Sequence, residues 1–192
     1  MKFVQIFLSA AIILFMVPAR AQTTIPKGFS KGNIILSDSS ILTGYIKDNM
    51  KKDASILFIN EKGEDKKTFA ASDINGAGID NNSFVCIKGD FFKVISRGEL
   101  SFLQKSSDAS GKPSYNGAEA IFVSGTAGKI GDYFIYNNSS KQLDHVSKKN
   151  LSAVAGTAFT GCPAAIEKAG NAQADIALLK DAVDVFNNRN TK

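Results

Sequence analysis

Between residues 30 and 146 the chain is a succession of short apolar runs, each halted by turn formers. Asn33-Ile34-Ile35-Leu36 stops at Ser37-Asp38-Ser39-Ser40, and Ile41 to Lys47 follows. Ser55 to Asn60 is turned by Glu61-Lys62-Gly63-Glu64 and answered by Lys67 to Ala71. Gly76 to Ile79, Phe84 to Ile87, Phe91 to Ser96 and Leu100 to Gln104 are separated only by tight polar turns, among them Asp80-Asn81-Asn82 and Lys88-Gly89-Asp90. Asp132 to Asn137 and Gln142 to Val146 flank Asn137-Asn138-Ser139-Ser140. Runs this short cannot satisfy their own backbone groups, so they must pair as strands with close neighbours. Gly44, inside the second run, predicts a bulge or sharp bend that helps curl the sheet.

Lys105 to Gly117 breaks the pattern. It is rich in Ser, Gly and Lys and predicts a long exposed loop. Ala120 to Val123 then resumes strand character, and Ser124 to Gly131 is a Gly-rich connection. After Val146 the apolar period changes from two to about 3.6. Leu151, Val154 and Ala158 share one helix face, ended by Gly161. Pro163 suits the first turn of a second helix, with Cys162 at its cap and Gly170 at its stop. Ile176, Leu179, Val183 and Phe186 stripe a last helix predicted over 172–188, capped by Asn171. Strands first and helices after is the segregated α+β pattern. The expected fold is an antiparallel β-rich meander, small barrel or sandwich over 31–146, followed by two to three C-terminal helices over 147–188. These would form one domain, with a polar tail at 189–192.

The first 21 residues obey a different logic. Met1-Lys2 gives a positive start, Phe3 to Val17 is apolar but for Gln5 and Ser9, and Pro18-Ala19-Arg20-Ala21 places small residues at −3 and −1. This predicts a secretory signal peptide cut between Ala21 and Gln22, with 22–30 a flexible lead-in. The apolar run is shorter than the roughly 20 residues a spanning helix needs. The expected address is the periplasm, the outer membrane or the exterior. Net charge is +5, and loss of Lys2 and Arg20 with the leader leaves 21 basic against 18 acidic residues. Basic residues gather only as pairs such as Lys51-Lys52, Lys66-Lys67 and Lys148-Lys149, without the concentrated stripe that nucleic-acid binding needs.

Cys86 and Cys162 are the two cysteines. In an oxidising compartment they are a candidate disulfide; the alternative is two separate buried thiols. Cys162 at a helix start is also a candidate nucleophile, and His145, the single histidine, its only conceivable imidazole partner. Asp144 is adjacent to His145 but points to the opposite strand face, so it cannot orient the ring. One histidine leaves no multi-His zinc site. Asp38, Asp65, Asp80, Asp90 and Asp108 fall in turns, and the chain has no Trp to frame a sugar cleft. Gly125 to Ile130 carries the glycines and Lys129 of a phosphate loop, but Ile130 stands where a hydroxyl is required. The sequence therefore assigns no catalytic, cofactor or metal residue.

Three segments carry a resemblance. Gly32-Asn33-Ile34-Ile35-Leu36 followed by Leu42-Thr43-Gly44-Tyr45-Ile46, then Phe69-x-x-x-Asp73-Ile74-x-Gly76, and finally Gly161-Cys162-Pro163 with its helices resemble secreted envelope proteins of Bacteroidota that have no assigned activity. The chain departs from that pattern at Gly161, where Asp is expected, and is shorter between Gly76 and Phe91. The resemblance implies an envelope or secreted setting. The expected function is a non-catalytic binding or assembly module whose partner is an envelope protein or surface polymer. The alternative is a hydrolase using His145 or Cys162.

Overall fold

The computed structural model describes residues 25–111, 113–116, 119–122 and 125–189. The expected signal peptide and its Ala21–Gln22 junction lie outside the described residues. Among the described residues, ten of twelve strands form one antiparallel sheet in the order β12-β11-β8-β7-β6-β5-β1-β2-β3-β4. These strands are β1 (Ser30–Leu36), β2 (Ile41–Asn49), β3 (Ser55–Asn60), β4 (Lys67–Ala70), β5 (Ile74–Ile79), β6 (Asn82–Ile87), β7 (Asp90–Ser96), β8 (Leu100–Lys105), β11 (Tyr133–Asn137) and β12 (Leu143–Val146). The other two, β9 (Pro113–Asn116) and β10 (Glu119–Phe122), pair only with each other. Three helices close the chain: α1 (Leu151–Ala158), α2 (Pro163–Gly170) and α3 (Leu179–Asn187). The α+β meander with C-terminal helices is the architecture expected from the sequence. The sheet is a single open layer, neither a two-sheet sandwich nor a closed barrel.

The sheet curls at its N-terminal end, and chain connectivity requires it. β4 lies four strand positions from β5, about 19 Å in a flat sheet. Yet only Ala71-Ser72-Asp73 join them, a link that reaches at most about 14 Å. The end of β4 must therefore swing back toward β5. Asp73 fixes the corner, its carboxylate accepting from the Ala70 amide at 2.8 Å. Asn75 then donates to the Leu36 carbonyl at 3.0 Å. Ile34, Ile46, Ile56, Phe58, Phe69 and Phe91 fill the inside of the curl. Gly44 is not a bulge. It pairs in regular register with Gly32 and Asn60, and a Cβ there would lie 2.2 Å from the Ile59 carbonyl oxygen. Its role is close strand approach within the curl.

The C-terminal half of the sheet has two distinct faces. On the helical face, Leu100, Phe102, Ile135 and Val146 pack against Leu151, Phe159, Leu179, Val183 and Phe186. Ala165, Ala169, Ala172 and Ala182 are fully buried there, small enough to bring the helices close. On the other face, Phe92, Leu103 and Phe134 form a smaller buried cluster. The long helix predicted over 172–188 is broken. Asp175 takes an extended conformation and accepts from the Ala177 amide, so 3₁₀ turns at Asn171–Gln173 and Ile176–Leu178 precede α3. An Asx cap outcompeted the apolar periodicity.

The largest departure from the sequence reading is at Lys105 to Gly117. The first part of this stretch is not an exposed loop: Lys105, Ser107 and Ala109 are buried. Asp90, expected as a solvated turn residue, is fully buried 3.3 Å from the Lys105 ammonium. Its carboxylate also accepts from the Ala109 amide at 2.8 Å and from the Thr126 amide and hydroxyl, each at 2.7 Å. Lys105 donates onward to the carbonyls of Thr126 (2.7 Å) and Gly128 (3.1 Å). The Gly-rich connection is thus strapped onto the sheet. Residues 112 and 117–118 of the expected loop, and 123–124 beyond it, lie outside the described residues. Removing one member of a buried, fully bonded pair strands the other, a loss of about 3–5 kcal/mol. Asp90→Ala is expected to lower the urea midpoint accordingly; an unchanged midpoint would show that the pair is dispensable.

Helix α3 is anchored to the sheet through Asp184, which accepts from Ser96 of β7 and from Lys180. Burial would raise this carboxyl, but the bonds from Lys180 and Ser96 outweigh it and hold Asp184 below the usual carboxylate range. A depressed native pKa stabilises the fold above the unfolded value of about 4 and is lost as pH falls through the native value. Asp184→Asn is therefore expected to lower stability at pH 7 by under about 1 kcal/mol, since the pair is partly exposed. The gap should close as pH falls from the unfolded carboxylate value through the depressed native one, as read by urea titrations at several pH values.

Candidate functional site

A β-bulge decides which side chains reach which face. Pairing of β7 with β8 slips between Val94 and Ser96, and one extra residue reverses the alternation beyond it. Val94 therefore faces away from the helices with Phe92, while Ser96 turns toward α3 and bonds Asp184. Arg97 swings to the side of Val94, where it donates to Ser83 Oγ at 3.2 Å. Gly98 allows the turn to sit against α3, because a Cβ there would lie 2.3 Å from the Asn187 side chain. Asn187 in turn bonds both the amide and the carbonyl of Leu100.

The result is a groove of about 530 Å³ on the face opposite the helices. Its floor is Val85 and Ile87 of β6, Val94 of β7 and Tyr136 of β11, all resting on the Phe92–Leu103–Phe134 cluster. Its polar end is built by two turns. Asn138 of the β11–β12 turn donates to the Gly98 carbonyl at 2.7 Å and to Ser101 Oγ at 2.9 Å, locking that turn to the β7–β8 turn. Arg97 and Lys141 flank this end. Neither has a carboxylate partner among the described residues. Glu99, in the same turn as Arg97, is engaged by Arg189 at 2.7 Å. The groove therefore combines an apolar floor with uncompensated positive charge.

The residues singled out from the sequence lie elsewhere or at its margin. Cys86 and Cys162 are free thiols, not a disulfide. Cys86 packs against the core of the curl and Cys162 against the helical core. Burial pushes the Cys86 thiol well above its ordinary value, and the Asp73 charge adds to this, so it is a protonated, poor nucleophile. His145 sits on the groove face of β12, opposite Phe134, whereas Cys162 packs on the helical face. The two are not brought together. His145 does meet an acid, one the sequence reading missed: its Nε2 lies 2.9 Å from Asp132 Oδ2. Asp132 also accepts from the Lys129 amide at 2.9 Å, and both side chains of the pair are about one-third exposed. Among the described residues no hydroxyl or thiol bonds to this imidazole, and no three His, Cys, Asp or Glu side chains converge as metal ligands. Tyr133 and Tyr136 take opposite faces, as strand alternation requires, Tyr133 stacking on Phe102 at 5.2 Å.

Compared with protein-family profiles, with curated proteins and with solved structures, the chain matches none. Among the described residues no helix is long and apolar enough to cross a membrane.

The thiol assignment is directly testable. Denatured under non-reducing conditions, the protein should titrate two thiols per chain with Ellman's reagent. Native Cys86 should alkylate far more slowly than a free thiol at pH 8. A count of zero with a monomeric mass would establish a bridge and contradict the separation of Cys86 and Cys162.

Proposed function

We propose that this chain is an exported, non-catalytic binding module that holds its ligand in the groove on the open sheet face. The observation that carries this reading is the juxtaposition of an apolar floor with Arg97 and Lys141 in a concavity of about 530 Å³. That volume lies within the roughly 300–1,000 Å³ of small-ligand sites. An apolar ligand group lying on the half-buried floor would remove that surface from water, which favours binding. Export rests on the leader-like first 21 residues, and binding rather than turnover on the chemistry of the groove. Its lining carries no carboxylate or imidazole, and Cys86 at its edge is held protonated.

The hydrolase alternative has one observation in its favour, the His145–Asp132 pair. A carboxylate bonded to an imidazole can serve a general base. The pair lies in a separate open depression of about 460 Å³ beside Lys148 and Asp175, without a bonded nucleophile among the described residues. The readings separate by amide chemical-shift mapping with fractionated envelope extracts, lipid and polysaccharide in turn. The binding reading predicts saturable shifts clustered at residues 85–87, 94–98 and 136–141, with the extract chemically unchanged. Shifts centred on His145 and Asp132 with consumption of the added material would replace it with the hydrolase.

A further inference from the structure

The groove has a polarity that names its ligand. β7 and β11 both pair antiparallel with β8, so they run in the same direction and end at the same edge of the sheet. The turns that follow them carry Arg97 and Lys141. Ser83, which Arg97 touches, begins the β6 segment that leads to Val85 and Ile87. Positive charge and hydrogen-bonding groups are thus concentrated at one end. The apolar side chains extend from there for four residues of β6, roughly 13 Å. At the far end Ile87 pairs with Asp90, which holds Thr126 of the Gly-rich strap.

We propose that the groove binds an amphipathic carboxylate with a single unbranched acyl chain, a free fatty acid. Its head would lie between Arg97 and Lys141 and its chain along Val94, Tyr136, Val85 and Ile87. The inference rests on the groove being the binding surface and specifies what it takes. The planar guanidinium suits a carboxylate through paired hydrogen bonds, and Lys141 adds a second charge. Asn138 is already spent on Gly98 and Ser101, so it shapes the head site rather than filling it. Charge complementarity excludes a cationic head. A sugar polymer would leave the Val85–Ile87–Val94 floor facing hydroxyls, which is unfavourable on the same ground that leaves buried polar groups unpaired.

The test is titration calorimetry of the purified, delipidated protein with decanoate, decan-1-ol and acetate, all below micelle-forming concentrations. Decanoate is expected to bind saturably with one site per chain and at least about tenfold more tightly than decanol. Acetate should not bind measurably. Arg97→Ala combined with Lys141→Ala, both exposed and outside the core, should erase the preference for decanoate while leaving decanol affinity unchanged. Val94→Glu should abolish binding of both, and Tyr136→Ser should weaken both should the first variant fold poorly. Equal affinity for decanoate and decanol in the parent protein would overturn the fatty-acid assignment but leave an apolar binding groove. Decanoate binding indifferent to the cation pair, Val94→Glu and Tyr136→Ser would place the site elsewhere and overturn both readings. Absence of saturable decanoate binding, or binding only to vesicles carrying anionic lipid, would also overturn the assignment.

Discussion

The buried Asp90–Lys105 pair sets the shape of everything on the open face of the sheet. A long sheet packed by helices on one side leaves its other side in water, and here that side carries Phe92, Leu103 and Phe134. The pair solves part of this problem. Asp90 gathers the backbone of residues 109 and 126, Lys105 gathers the carbonyls of 126 and 128, and the strap so formed lies over the phenylalanines. Gly128 comes so near that a Cβ there would sit 3.1 Å from the Phe134 ring. Every buried side-chain polar atom among the described residues finds a partner, so the two desolvated charges are compensated rather than stranded. Where the strap stops, the covering stops, and Val85, Ile87, Val94 and Tyr136 are left as a floor.

The same economy of position governs the cationic end of the groove. The bulge at Val94–Ser96 sends Ser96 to the helices and Arg97 to the groove. Asn187 of α3 then braces the turn from the helical side, and Asn138 braces it from the neighbouring turn. The groove's charge is therefore positioned by helices that never touch it. That coupling ties the C-terminal helices to the groove as well as to the core.

The strands were legible because alternating runs ended at turn clusters, and the first two helices because Gly161, Pro163 and Gly170 mark their ends. What the sequence hid follows from interactions between distant residues. Asp90 sits in a Lys-Gly-Asp turn indistinguishable by composition from the solvated turns at Asp38 or Asp80, and only the return of Ala109 and Thr126 to its carboxylate buries it. Lys105 opens a Ser-rich stretch that reads as exposed until its partner is known. The groove was equally hidden. Its floor joins the consecutive strands β6 and β7 to β11, which is distant in sequence, and a one-residue bulge, which leaves no compositional mark, aims Arg97 at them. Asp132 escaped notice beside His145 because they face one another across 13 residues rather than along one strand. Gly44 carried a real signal of curvature, and its cause was strand approach rather than a bulge.

The central claim is that the sheet's open face is occupied when the protein works. Native mass spectrometry of protein taken from its own compartment without detergent extraction tests this most directly. A small-molecule adduct at one per chain is expected, released on denaturation and absent when Val94→Glu or Tyr136→Ser protein is prepared in the same way. A bare mass for the parent protein, or an adduct retained by both variants, would contradict the claim.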